Sequence, residues 1–225
     1  MHFHRPSLVF ILSALFKFAP ILVLGSGIDP FPIPYSSSFS EPLPPQIPTE
    51  FTANYMQQKY DALGNNHIVA GFAYYSTSQN KIRADGASNG TLFSSLFDFT
   101  NQSAAGEVSN RQTIFTGGVK ESQSTCFSEF VIPGEQLFTA DMLNSTQAVF
   151  IGLQEDSLYG PLNGWQFLHP TIPSLIITTF LDVNNTLVRY DFAAPAQPAR
   201  TFVTTRFFNI VQGPIDPVVF ETDCL

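Results

Sequence analysis

From residue 51 onward, apolar residues recur with a period of two, and this alternation limits what the chain can fold into more than any other feature. Residues 67–75 run into a polar turn at 76–80 and return through Lys81, Ile82, Arg83, Ala84 and Asp85. Residues 91–99 place Phe93, Phe97 and Phe99 on one face, with Ser94 and Asp98 on the other. Further strands are expected at 112–116, 126–132, 147–153, 175–182, 186–192 and 201–211, separated by Asn, Gly and Ser. Helix is scarce: 51–63 reads as a strand running into a helical turn, and 134–143 as a short helix. Short strands at this spacing predict an antiparallel, all-β domain.

Several of these strands are apolar on both faces. Ile68, Phe72 and Tyr74 oppose Val69, Ala73 and Tyr75. Phe202, Phe208 and Ile210 oppose Val203, Phe207 and Val211. A sheet with one wet face would alternate cleanly, so both faces here must be covered. The cover is either packed protein or a cavity with an apolar wall. Of 225 residues 23 are Phe, and only 12% are charged, so aromatic strand faces are abundant. Phe72, Tyr74, Phe93, Phe97, Phe180 and Phe208 are the candidate wall residues.

The apolar run from Leu8 to Leu24, behind His2, His4 and Arg5, predicts a signal peptide over 1–26, with Gly25, Ser26 and Gly27 offering the cleavage site. The alternative is a retained signal anchor, which Lys17 opposes at a cost of about 2.5–3.5 kcal/mol. Residues 27–50 hold Pro30, Pro32, Pro34, Pro42, Pro44, Pro45 and Pro48, and read as an irregular lead-in to a domain over 51–225. The ending Thr222, Asp223, Cys224, Leu225 has neither a hydrophobic tail nor a retention tetrapeptide, so the expected mature protein is soluble, without stable membrane insertion. Four glycan acceptor sequons, at Asn89, Asn101, Asn144 and Asn184, lie in polar stretches and support a secreted or lumenal glycoprotein. Cleavage after Ser26 removes Arg5 and Lys17 but no acid, taking the formal charge from −8 to −10. That charge argues against nucleic acid and anionic membrane surfaces as partners.

In an oxidising compartment Cys126 and Cys224, the only cysteines, most simply form one bridge within the domain; the alternative is an intermolecular bridge through Cys224. Two thiols without partners at ligand spacing do not make a metal site. His67 and His169 sit at a strand end and in a loop. No HExxH or CxxC occurs, and no Gly-rich loop precedes a helix. Glu155 with Asp156, and Asp216, Glu221 and Asp223, could bind calcium weakly or serve as hydrolytic carboxylates, but they lack the spacing of a dedicated site. Trp165 is either a core anchor or part of a binding wall. No catalytic site assembles, and the chain is not expected to be an enzyme or to need a cofactor.

The order of these features resembles the ependymin-related secreted glycoproteins and the wider LolA-like group. It runs from Ala73, Tyr74 and Tyr75 through Lys81, Arg83 and Asp85 to a Phe-rich strand with Asp98. Cys126, Trp165 and the ending from Phe220 to Cys224 follow. The resemblance implies two antiparallel sheets curved into a half-open barrel of LolA-like type, with an apolar pocket for lipid or another hydrophobic ligand. It further implies N-glycans, extracellular or lysosomal residence, dimerisation as a homodimer and weak calcium binding. Vertebrate ependymins generally carry more cysteines than this chain. The expected function is therefore binding of a hydrophobic small molecule or lipid. The alternative is an extracellular matrix or surface interaction protein with weak calcium-dependent association.

Overall fold

Strand pairing organises the whole domain. The computed structural model describes residues 38, 40–117, 119, 124–131, 137–170, 172, 174–195, 200–222 and 224. The expected signal peptide and most of 27–39 lie outside the described residues. From Ser40 onward the chain forms one compact unit. Its strands are β1 Glu50–Tyr60, β2 His67–Ser76, β3 Lys81–Ser88, β4 Thr91–Gln102, β5 Val108–Phe115 and β6 Ser124–Val131. After the single-turn helix α1 Met142–Ser145 come β7 Val149–Asp156, β8 Gly160–Leu168, β9 Ile176–Leu181, β10 Leu187–Ala194 and β11 Thr201–Gln212. A 3-10 turn, Pro217–Phe220, follows.

The all-β expectation holds, but the two expected sheets are one. Among the described residues, eleven strands form a single antiparallel sheet in the order β6-β5-β4-β3-β2-β1-β11-β10-β9-β8-β7. Its centre is the β1–β11 pairing, which joins two meanders. The register assigns each side chain to a face. Phe51, Ala53 and Tyr55 of β1 share a face with Tyr75 and Ala73 of β2, Ile82 and Ala84 of β3, and Phe207 of β11. This face carries the main core, including Trp165, Ile177 and Tyr190. Phe51 stacks on Tyr75 at 4.7 Å, and Phe207 meets both rings edge-on.

Residues 137–148 fill the space over that face, burying Phe138, Leu143 and Ala148. The Phe138 ring meets Tyr190 edge-on at 5.2 Å. The sheet bends around this segment, so Phe99 and Val108 from one meander and Phe167 and Ile177 from the other share a wall with Leu137 and Met142. In the lead-in, residues 40–49 carry no regular element, yet Ile47 is buried at 2% exposure and donates its N–H to the Ala140 carbonyl at 3.0 Å.

The second face has two covers. The C-terminal tail lies across β2 to β6, packing Ile215, Phe220 and Val219 on Leu96 and Tyr74. Cys224 closes it with a bridge to Cys126 on β6, the two Cα atoms 5.5 Å apart. On the other meander, Tyr159 from the β7–β8 turn packs on Leu162, Phe180 and Val188. Its hydroxyl donates to the Phe207 carbonyl at 2.7 Å. Beside it Asp156 pairs with Arg206 at 2.8 Å. Of the apolar second-face residues seen in the sequence, the tail covers Tyr74 and the hairpin cluster takes in Ile210, while Ile68 and Phe202 remain exposed. Between the covers the face stays open.

Candidate cavities and their walls

The open part of the second face forms a cavity of about 740 Å³ over β1 to β5 and β11. Phe72, Leu92, Phe115, Phe208 and Met56 supply its apolar wall; Arg83, Asp85, Asn54 and Ser94 supply polar groups. Register explains the grouping: Phe72 pairs with Asp85 and Asn54, Leu92 with Phe115, and Asn54 with Phe208, so all project to one side. Asn209, with φ of 51°, marks the bulge in β11 next to Phe208. Bulges bend a strand and redirect its side chains.

The floor is thinned by two glycines. Gly71 and Gly86 face each other across β2 and β3. A Cβ on Gly71 would lie 2.0 Å from the Asp85 carbonyl oxygen, so only glycine permits this backbone approach. A Cβ on Gly86 would meet the Phe93 ring and the Tyr55 hydroxyl, each at 2.7 Å. Tyr55 and Phe93 therefore occupy the space that side chains of β3 would fill, and both border the cavity.

Arg83 connects the cavity to the tail. Its Nε donates to Asp85 Oδ1 at 3.0 Å and its Nη1 to the Val219 carbonyl at 2.8 Å. Charged groups at the rim of an apolar wall can orient an amphiphile without filling the pocket with charge.

Of the six candidate wall residues, Phe72, Phe93 and Phe208 border this cavity. Tyr74 lies beneath the tail, its ring 5.0 Å from Phe72. Phe180 is buried under the β7–β8 turn, with the Arg189 guanidinium 4.5 Å over its ring. Phe97 belongs to the main core. Leu92, Phe115, Met56 and Arg83 escaped sequence reasoning. The i, i+2 spacing of Arg83 and Asp85 already put both on one face, but the Leu92–Phe115 pairing needed the β4–β5 register.

A second cavity, about 480 Å³, opens on the main-core face of β1 to β6. Phe93 and Phe97 line it together with Gln57, Ser95, Asn110 and Gln112. Gln112 Nε2 donates to Ser95 Oγ at 2.9 Å. His67, also in the wall, titrates below its ordinary range because burial disfavours its charged form; Lys59 adds to this and Asp61 opposes it. Asn110 is only 5% exposed, and among the described residues its Oδ1 has no hydrogen-bond partner.

The acid pair Glu155 and Asp156 splits on folding. Glu155 is exposed, while Asp156 is buried and accepts N–H bonds from Leu158 and Tyr159 at 2.9 and 3.3 Å. Burial would raise its carboxyl, but these donors and Arg206 hold it below its ordinary value of 3.8. Asp216 serves as the cap of the 3-10 turn, accepting from Val218 N. Among the described residues no group of three or more His, Cys, Asp and Glu could hold a metal. Nor is any helix among them long and apolar enough to cross a membrane. All four sequon asparagines are solvent-exposed.

No family model matches the chain and no curated protein matches it, so the ependymin-related resemblance stands on its residues alone. Solved structures show a distant likeness. A DUF1329 family protein from Desulfovibrio piger has a TM-score of 0.34 at 8% identity, over 77% of this chain and 90% of that one. An outer membrane lipoprotein-sorting protein domain from Vibrio parahaemolyticus has 0.30 at 8%, over 76% and 88%. A LolA superfamily protein from Nitrosomonas europaea has 0.30 at 6%, over 78% and 91%.

Proposed function

We propose that this chain is a secreted glycoprotein that binds a lipid or other hydrophobic small molecule in the 740 Å³ cavity on its second face. The observation that carries the reading is the cavity itself. Its wall of Phe72, Leu92, Phe115 and Phe208 is left open between two covers, the C-terminal tail and the β7–β8 turn. Its volume falls in the range of about 300–1,000 Å³ typical of small-molecule sites. Each 100 Å² of apolar surface that a ligand removes from water contributes about 2.5 kcal/mol before association costs. Arg83 and Asp85 orient a polar end at the rim, as befits an amphiphile rather than a plain hydrocarbon. Four exposed sequons and the apolar N-terminal run support export; the extracellular space is the favoured residence, with the lysosomal lumen as alternative.

The test is native mass spectrometry of the secreted protein, with organic extraction and lipid analysis. A stoichiometric hydrophobic ligand, retained by wild type and lost from Phe72→Ala/Phe208→Ala, is the expected result. Truncating two wall rings should lower occupancy about tenfold or more. A ligand-free protein that takes up no lipid on incubation overturns the reading in favour of calcium-linked surface association.

A further inference from the structure

The second cavity differs chemically from the first. Its wall holds side-chain amides from Gln57, Asn110 and Gln112, a hydroxyl from Ser95, and the rings of Phe93 and Phe97. Among the described residues, no Asp, Glu, Lys or Arg lines it. Its distinctive feature is the buried Asn110 Oδ1, an acceptor with no partner among the described residues. A buried acceptor left unsatisfied costs about 1–3 kcal/mol, so an occupant that donates to it gains that much advantage over an apolar one. An uncharged ligand with hydroxyl or amide donors and an apolar ring face suits this wall.

Such a ligand is available from the chain itself. Asn89 borders the same cavity, is exposed, and begins the sequon that continues through Gly90 and Thr91. It sits with φ of 50°, ahead of Gly90 at 75°, in the two-residue turn joining β3 to β4, where Ser88 pairs with Thr91. This is the Asn-Gly hairpin turn that positive φ at both central residues demands. The turn fixes the Asn89 side chain at the cavity mouth.

We propose that the cavity seats the core sugar of an N-glycan carried on Asn89, with the Asn110 side chain turning its enclosed Oδ1 out to accept from a sugar hydroxyl or acetamide N–H and Phe93 and Phe97 packing on the ring and acetyl methyl. The inference rests on the glycoprotein reading. In attachment, the Asn89 amide nitrogen forms the bond to C1 of the first N-acetylglucosamine and loses a proton, while the lipid pyrophosphate carrier of the oligosaccharide leaves. The seated glycan then shields this face of β1 to β6 from within. The three glycans on Asn101, Asn144 and Asn184 stand in solvent.

The test uses the full chain secreted from a glycosylating eukaryotic cell. An endoglycosidase that cuts the glycan core is applied to the native protein, and release is followed at each site by glycopeptide mass spectrometry. The Asn89 glycan should be released about tenfold more slowly than the other three, the ratio that one neutral hydrogen bond with ring packing provides. After denaturation all four should release alike. Asn110→Leu should abolish the protection. Because that variant could misfold, a second measurement stands beside it: on wild type with a ¹³C-labelled glycan, nuclear Overhauser contacts should join the Asn89-linked acetyl methyl to the Phe93 or Phe97 ring. Equal native release at all four sites overturns the proposal, as does an unmodified Asn89 beside three occupied sequons. Protection that survives Asn110→Leu without Overhauser contacts does so too, since it reflects only the tight turn. A protein with no glycan at any sequon removes the glycoprotein reading as well.

Discussion

Replacing both cysteines, as Cys126→Ala/Cys224→Ala, tests how the tail is held. The bridge spans a sequence separation of 98 residues. Closing a loop of that length removes about 4.7 kcal/mol of chain entropy from the unfolded state at 25 °C. In the folded state the tail keeps other attachments, Ile215 and Phe220 in their apolar cluster and the Arg83 bond to Val219, so the fold itself should survive. The expected outcome is a loss of about 3–5 kcal/mol. For a domain of this size that lowers Tm by about 10–15 °C. Equilibrium guanidinium unfolding, followed by Trp165 fluorescence and circular dichroism, measures it. The slope m should also rise, because an uncrosslinked unfolded chain exposes more surface. Wild type unfolded with a dithiol reductant present should match the variant. A loss under about 1 kcal/mol with unchanged m would refute the reasoning, since a bridge over so long a loop cannot act through chain entropy and leave both quantities untouched.

Three other outcomes are expected. Gly71→Ala should destabilise by about 3 kcal/mol and cut the yield of folded protein, because the added methyl meets backbone that no rotamer can move; a denaturation midpoint equal to wild type would contradict this. Trp165 is 2% exposed and its Nε1 has no acceptor among the described residues. Trp165→Phe should therefore cost under about 1 kcal/mol, while Trp165→Ala costs about 3–5; equal losses would show that the indole N–H carries no penalty. Asp156 has its carboxyl held below 3.8 in the folded state, so its contribution is fully present above about pH 4 and is lost as pH falls through the lowered folded value. The stability gap between wild type and Asp156→Asn in urea should shrink on acidification below pH 4, and a gap that stays constant from pH 7 to pH 3 would sink the assignment.

Strand content was legible in the sequence where period two was clean, as in β2, β4 and β11. It failed at β8, where Gly160, Pro161, Asn163 and Gly164 look like turn punctuation. Pro161 stands at the second residue of the strand, opposite Glu155, and a Cβ on Gly164 would press on the Ile151 side chain at 2.7 Å. Both are strand residues for tertiary reasons that no local pattern carries. Likewise the helix-forming run from Gln57 to Lys59 is held extended by pairing with β2 on one side and β11 on the other. The expected helix over 134–143 begins outside the described residues; the helix present is Met142–Ser145. Candidate wall residues were legible as aromatic strand positions, but not the choice of face. Phe72 and Phe208 share one face and Phe97 the other, a distinction made only by the register around the β1–β11 seam.

That seam sets the order in which the protein can be finished. Among the described residues β1 is the first strand made and β11 the last, yet they lie side by side at the centre of the sheet. The meander from β1 to β6 can pair locally as it is synthesised, but the free edge of β1 must wait for the final strand. Until then the most central strand of the mature protein is an exposed edge, open to pairing with another chain. Stalled chains that end before Thr201 should therefore stay protease-sensitive along β1, and become resistant once β11 has left the ribosome. The tail and its cysteine emerge later still, so the disulfide locks a sheet whose middle has just closed.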